Sequence, residues 1–167
     1  MAVQGFEAYP TYIATGTVAS ISVPVSPDHT RLMICVYGVN DANSKNIFLR
    51  FNTDAGTNYA EQRLDSDSST VSGGRLTSQT KVAIAAYADT DASSAWLATI
   101  MVSKPTAGVV ARGTVQCSYM QPTNGITGQS LGFEWTNTTD NITAISITAS
   151  ANNFAAGTRV RVLGSRR

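Results

Sequence analysis

Apolar residues along this chain recur mostly at every second position, in short runs separated by turn-forming residues. Ile21, Val23 and Val25 alternate with Ser22 and Pro24, and Leu32-Met33-Ile34-Cys35-Val36-Tyr37 is a continuous apolar run. Further runs lie at 47–51, 81–87, 96–102, 115–120 and 131–135, with alternating stretches at 142–148 and 158–163. Short runs of period two are the mark of β-strands with one face buried. Turn signals lie between them: Pro27-Asp28, Asn40-Asp41, Asp54-Ala55-Gly56, Gly73-Gly74, Pro105, Pro122-Thr123-Asn124-Gly125 and Asn152-Asn153. The pattern predicts an all-β sandwich or barrel of about 8–10 antiparallel strands, spanning 18–167, with no amphipathic helix.

Two segments stand outside this rhythm. Residues 1–17 carry Phe6, Tyr9, Tyr12 and Ile13 without a regular period, which predicts an extended N-terminal arm. Those side chains need a surface to pack on: the body of their own domain or a neighbouring chain. Residues 65–74 (Asp-Ser-Asp-Ser-Ser-Thr-Val-Ser-Gly-Gly) read as a polar, flexible loop.

Composition sharpens the picture. Of 167 residues, 17 are Ser and 21 are Thr, while charged residues make up only 14%. Hydroxyl side chains compete for backbone hydrogen bonds inside helices, so this surface suits exposed β-faces and turns. A net charge of +1 supplies no long-range field for nucleic acid or anionic lipid, and neither is expected as a partner. No run approaches the roughly 18 apolar residues of a membrane span, and the opening residues lack a signal-peptide pattern. The chain is therefore expected to be made in the cytoplasm and not exported by a leader.

Candidate chemistry is sparse. The single histidine, His29, falls in a turn and reads as a solvated loop residue. Gly-x-Ser-x-Gly elbows, phosphate loops and dinucleotide fingerprints are absent, and the acids at 65, 67, 89 and 91 read as solvated turn residues. The reading is of a protein that is not an enzyme and uses no cofactor. Asn52, Asp54 and Asn58 around Gly56 imitate the first half of a calcium loop, where alternate oxygens surround a cation. The twelfth position is Arg63 instead of a bidentate Glu, so the expected role is an Asx-stabilised turn without metal. Cys35 and Cys117 sit in apolar runs and are expected to be buried, with free thiols as the default and one disulfide left open.

The stretch Phe48-Leu49-Arg50-Phe51-Asn52-Thr53-Asp54-Ala55-Gly56-Thr57-Asn58-Tyr59 resembles a segment of small virion proteins of tailed bacteriophages. The ending is similar too: Ile142-Thr143-Ala144-Ile145-Ser146-Ile147, then Asn153-Phe154-Ala155-Ala156-Gly157-Thr158-Arg159-Val160. The resemblance, over about 20–164, implies a single jelly-roll sandwich in which Phe154 and Gly157 fix the last turn. It further implies a capsid decoration (cement) protein on the head exterior, a homotrimer whose arm residues Phe6, Tyr9, Tyr12 and Ile13 dock on a neighbour or on the major capsid protein. The chain shows no attachment region of a fibre or spike around the module, which favours decoration. The alternatives it leaves are a receptor-binding module of a tail or fibre, holding a host glycan or surface protein, and a small single jelly-roll major capsid protein.

Overall fold

The computed structural model describes residues 5–42, 46–67, 70–86, 95–104, 108–121, 125–151 and 153–166. Pro105, residues 122–124 and Asn152 among the expected turns lie outside them, as do Tyr87, Asp89 and Asp91. The strands are β1 (Glu7–Ala8), β2 (Tyr12–Ile13), β3 (Ser20–Pro24), β4 (Arg31–Val39), β5 (Asn46–Phe51) and β6 (Tyr59–Asp67). Then come β7 (Thr70–Gln79), β8 (Val82–Ala86), β9 (Ala95–Ser103), β10 (Ala111–Gln121), β11 (Gly125–Trp135), β12 (Ala144–Ala149) and β13 (Arg159–Ser165). Among the described residues there is no helix, and hence none long and apolar enough to cross a membrane.

Two antiparallel sheets form a sandwich. The small sheet runs β3-β12-β5-β8; the large one runs β1-β13-β4-β9-β10-β11-β6-β7, with β2 also on β13. Taking the β9-β10-β11 meander as one strand, β3 to β12 are divided between the sheets as the eight strands of a jelly roll are, alternating except for the β6-β7 hairpin within the large sheet. The fold is an all-β, jelly-roll-type sandwich. Its core follows from the alternation: Ile21, Ile34, Leu49, Ile100, Val115, Phe133, Ile147 and Val162 all face inward and are buried. Trp96 and Trp135 are fully buried, Trp96 lying so close over β4 that a Cβ on Gly38 would stand 1.9 Å from its ring. No side chain fits at position 38 while that indole stays in place.

The expected polar loop at 65–74 instead belongs to a β-hairpin, with β6 pairing β7 from Tyr59↔Gln79 to Asp67↔Thr70. Nearly every residue of β7 is exposed on both faces, so no hydrophobic alternation marks it in the sequence. Residues 68 and 69 at its tip lie outside the described set. The arm is likewise part of the fold: Glu7 and Ala8 pair Gly164 and Leu163, while Tyr12 and Ile13 pair Val160 and Arg159. Tyr9 and Tyr12 pack against this chain's own core, whereas Phe6 and Ile13 remain about half exposed.

A buried carboxyl sits between the sheets. Glu61 on β6 is 4% exposed, and its Oε2 accepts the Ala83 amide at 2.8 Å. That amide belongs to β8 where its pairing with β5 slips a residue at Ile47/Phe48, so Glu61 caps a β-bulge across the sandwich. Burial pushes the Glu61 carboxyl above its ordinary value, against the Ala83 hydrogen bond and the Arg63 guanidinium; burial raises Asp65 as well. The folded state therefore holds a proton on Glu61 more tightly than the unfolded chain does, and stability falls as pH rises past the ordinary carboxylate value. In Glu61→Gln the amide oxygen still serves Ala83 and nothing ionises. The variant should gain stability relative to the wild type between about pH 4 and pH 7. Denaturant melts at several pH values check this, and a stability difference that does not change over that range would refute it.

Candidate functional site

At one end of the sandwich, the turn joining β5 to β6 carries the calcium-like pattern. Asn52 and Thr53 both adopt left-handed backbone, with φ of 53° and 58°. Such a conformation is costly for the β-branched Thr53 and persists only where neighbours enforce it. Here Asn52 Oδ1 accepts the amides of Thr143 (2.7 Å) and Ala144 (3.1 Å), fastening the turn to the start of β12. Asp54 Oδ1 accepts the Gly56 amide at 2.8 Å; its Oδ2 accepts Trp135 Nε1 at 2.7 Å and Asn58 Nδ2 at 2.9 Å. At Gly56 the need is room, since a Cβ would lie 2.8 Å from Asn58 Nδ2. Burial alone would raise the Asp54 carboxyl, but the bonds from Asn58, Trp135 and Gly56 outweigh it and hold it below the usual range. The side-chain oxygens of Asn52 and Asp54 thus accept from protein N–H groups, and Asn58 donates to Asp54.

The cation in this region is an ammonium. Lys104, 6% exposed, donates to the backbone carbonyls of Asn137 (2.9 Å) and Asp140, and lies 4.4 Å from the centroid of the Trp135 ring. Burial pushes it below its ordinary value, against the nearby Asp140. Among the described residues no three His, Cys, Asp or Glu side chains gather as a metal would need.

At the last corner Phe154 is fully buried, 6.3 Å from Trp96 between ring centroids, and bridges both Val18 and Asn40. Gly157 has a φ of 91°, a conformation that other residues avoid, and its amide donates to Ala14 at 2.8 Å. His29 departs from expectation: it is 8% exposed and lies beneath the arm. Its Nε2 is 3.1 Å from Glu7 Oε2 and its Nδ1 pairs with the Tyr9 hydroxyl, which accepts the Ser26 amide at 2.6 Å. The sequence shows a polar turn and not the arm folding back to cover it. Glu7, which takes part in that contact, carried no period or motif that could have found it.

The cysteines also divide. Both thiols are free, Cys117 inside the sandwich and Cys35 half-buried. On β4 the residues at 32, 34 and 36 point inward, so Cys35 points outward; the two thiols occupy opposite faces of one sheet. An apolar run looked like a buried strand, but Met33, Cys35 and Tyr37 lie on its outer side.

The outer face of the large sheet carries exposed apolar side chains. On it Tyr37 pairs Leu97, Cys35 pairs Thr99, and Leu163, Met33 and Met101 form one cross-strand row. Tyr37, Leu97 and Met101 are each at least 40% exposed. Arg159 and Arg161 of β13 border this apolar patch on one side; Thr114, Gln116 and Ser118 of β10 border it on the other. Further across, an open trough of about 500 Å³ is lined by Gln62, Arg75, Arg112, Gly132 and Glu134, with Arg112 Nε 2.9 Å from Glu134 Oε1. The face can meet another macromolecule by apolar contact at one side and by hydrogen bonds at the other.

Fold and surface together define a jelly-roll-type β-sandwich with one broad exposed face. No protein-family model matches the chain, and no curated protein matches it. Among solved structures, the galectin LEC-6 of Caenorhabditis elegans is similar at a TM-score of 0.35 and 9% identity, over 94% of this chain and 96% of that one. A likeness at that level adds nothing about ligand or partner.

The thiols give a direct check. Burial pushes the Cys117 thiol up to about 12, so it should stay unlabelled until the chain unfolds. Cys35 should react in the native protein. Mass spectrometry should find one adduct per native chain and two after denaturation; zero or two native adducts would contradict the placement of the strands.

Proposed function

We propose that this chain is a structural protein of a tailed-phage virion that decorates the outside of the capsid. The observation that carries the reading is the apolar patch of Tyr37, Leu97, Met33, Met101 and Leu163 on the outer face of the large sheet. Exposed apolar groups gathered on one sheet face, rimmed by polar side chains, fit a broad protein surface better than a small ligand. The Phe154–Gly157 corner and the turn at 52–58, on which the resemblance rests, belong to the framework that holds this face. A jelly roll by itself leaves the role open, because the fold serves capsids and lectins alike.

A second reading has its own observation. Gln62, Arg75, Arg112 and Glu134 stand around Gly132 with their polar groups open to solvent, as a host glycan would require. One experiment separates the two. Heads lacking this protein should lose heat resistance and regain it when the purified chain is added back. Leu97→Asp with Met101→Asp, at two exposed positions, should abolish the rescue. If the chain does not bind heads, but binds a glycan array and loses that binding in Arg112→Ala, the decoration role is wrong and the recognition role replaces it.

A further inference from the structure

The sandwich has four lateral edges, and three of them are blunted. The arm edge of the large sheet consists of two strands of 2 residues each, with Pro10 between them. In the small sheet, β3 is a 5-residue strand ending at Pro24, and β8 is a 5-residue strand with a bulge whose Ala83 amide is taken by Glu61. Short strands, prolines and bulges are the devices by which sheets avoid pairing with other chains.

The fourth edge, β7, lacks them. It is 10 residues long, contains no proline and carries one charge, Arg75. Its own irregularity lies at the base, where the register with β6 shifts beside Tyr59 and Ser78 has a φ of 54°. That leaves Thr70–Leu76 as a regular edge, exposed on both faces, with Val71 70% exposed and Leu64 beside it on the outer face 58% exposed.

We infer that β7 pairs, antiparallel and about a two-fold axis at Gly73, with β7 of a second copy of this chain, joining the two large sheets into one. Closing a threefold ring by edge pairing needs a second, complementary edge, and the other three are blunted. An edge that must pair with itself generates a two-fold. Gly73 is the midpoint of the regular stretch, so this register uses all of it: Thr70 meets the partner's Leu76 and Val71 meets the partner's Arg75. The valine then packs on the arginine's aliphatic stem, and the two like charges stand at opposite ends of the ladder. Parallel pairing would set them side by side. The amide and carbonyl groups that β7 leaves unpaired supply the ladder's hydrogen bonds.

Position 73 tests this, because it meets only its own copy. A Cβ there would lie 3.4 Å from Leu64 Cδ2 and 3.6 Å from the Arg63 carbonyl, ordinary contacts that leave a side chain room on the outer face. Light scattering on the full chain should give twice the 17.6 kDa of one chain for the wild type. Gly73→Lys and Gly73→Glu should each give half the wild-type mass while keeping its strand circular dichroism. An equimolar mixture of the two variants should return to the double mass. A wild-type monomer or trimer overturns the inference, a monomer leaving the edge to a strand of some other protein. It is overturned equally if both variants remain dimeric, or if both are folded monomers whose mixture stays monomeric.

Discussion

One indole organises a whole end of this molecule. Trp135, at the end of β11, fills the space between the sheets against Phe51 at 5.3 Å and Tyr59 at 6.4 Å between ring centroids. A buried indole needs an acceptor for its N–H, and the carboxylate that provides it, Asp54, sits on a turn bent by two left-handed residues. The same indole offers its face to Lys104, whose ammonium gathers the carbonyls of the loop after β11. Three loops are thus fixed relative to one another by the polar edge and the π-face of one side chain. The hydroxyl of Tyr59 completes the arrangement by accepting the Phe51 amide at 3.0 Å. Burial pushes that hydroxyl up to about 12, keeping it a neutral donor and acceptor at any ordinary pH.

The same arrangement fixes where the oxygens of this turn point. Asx turns and calcium loops share residue types, because both present oxygens at alternate positions around a tight bend. What separates them is where those oxygens point, and sequence spacing does not encode that. Here Asn52 faces the start of β12 and Asp54 faces the indole, so their oxygens accept from N–H groups of Thr143, Ala144, Gly56, Asn58 and Trp135.

The legible part of the sequence was the part with a buried face. Strands β3, β4, β5, β9, β10, β11, β12 and β13 bury alternate side chains and β8 buries Val82 to Ala85 in a row; apolar runs locate all nine, although β11 begins six residues before its run. β7 escaped because neither face is covered, so its order rests on backbone ladders that leave no mark on residue polarity. The arm escaped for a different reason. Its pairing with β13 is a long-range event, and two-residue strands are too short to show a period. His29 and Cys35 were misplaced through the same gap: local context gives a residue's neighbours in sequence, whereas burial depends on what returns from a distance to cover it.

That return has a temporal side. Glu7 and Ala8 are matched with Gly164 and Leu163, so the arm leaves the ribosome long before the strand it pairs with. Tyr9, Glu7 and His29 can assemble early, since only about twenty residues separate them, but the ladder beneath them waits for β13. Joining ends so far apart carries a large loop-closure entropy, offset only when the intervening strands have already collapsed into sheets. Until then the arm is a free, tyrosine-bearing tail on a half-built sandwich, and its docking follows the arrival of β13.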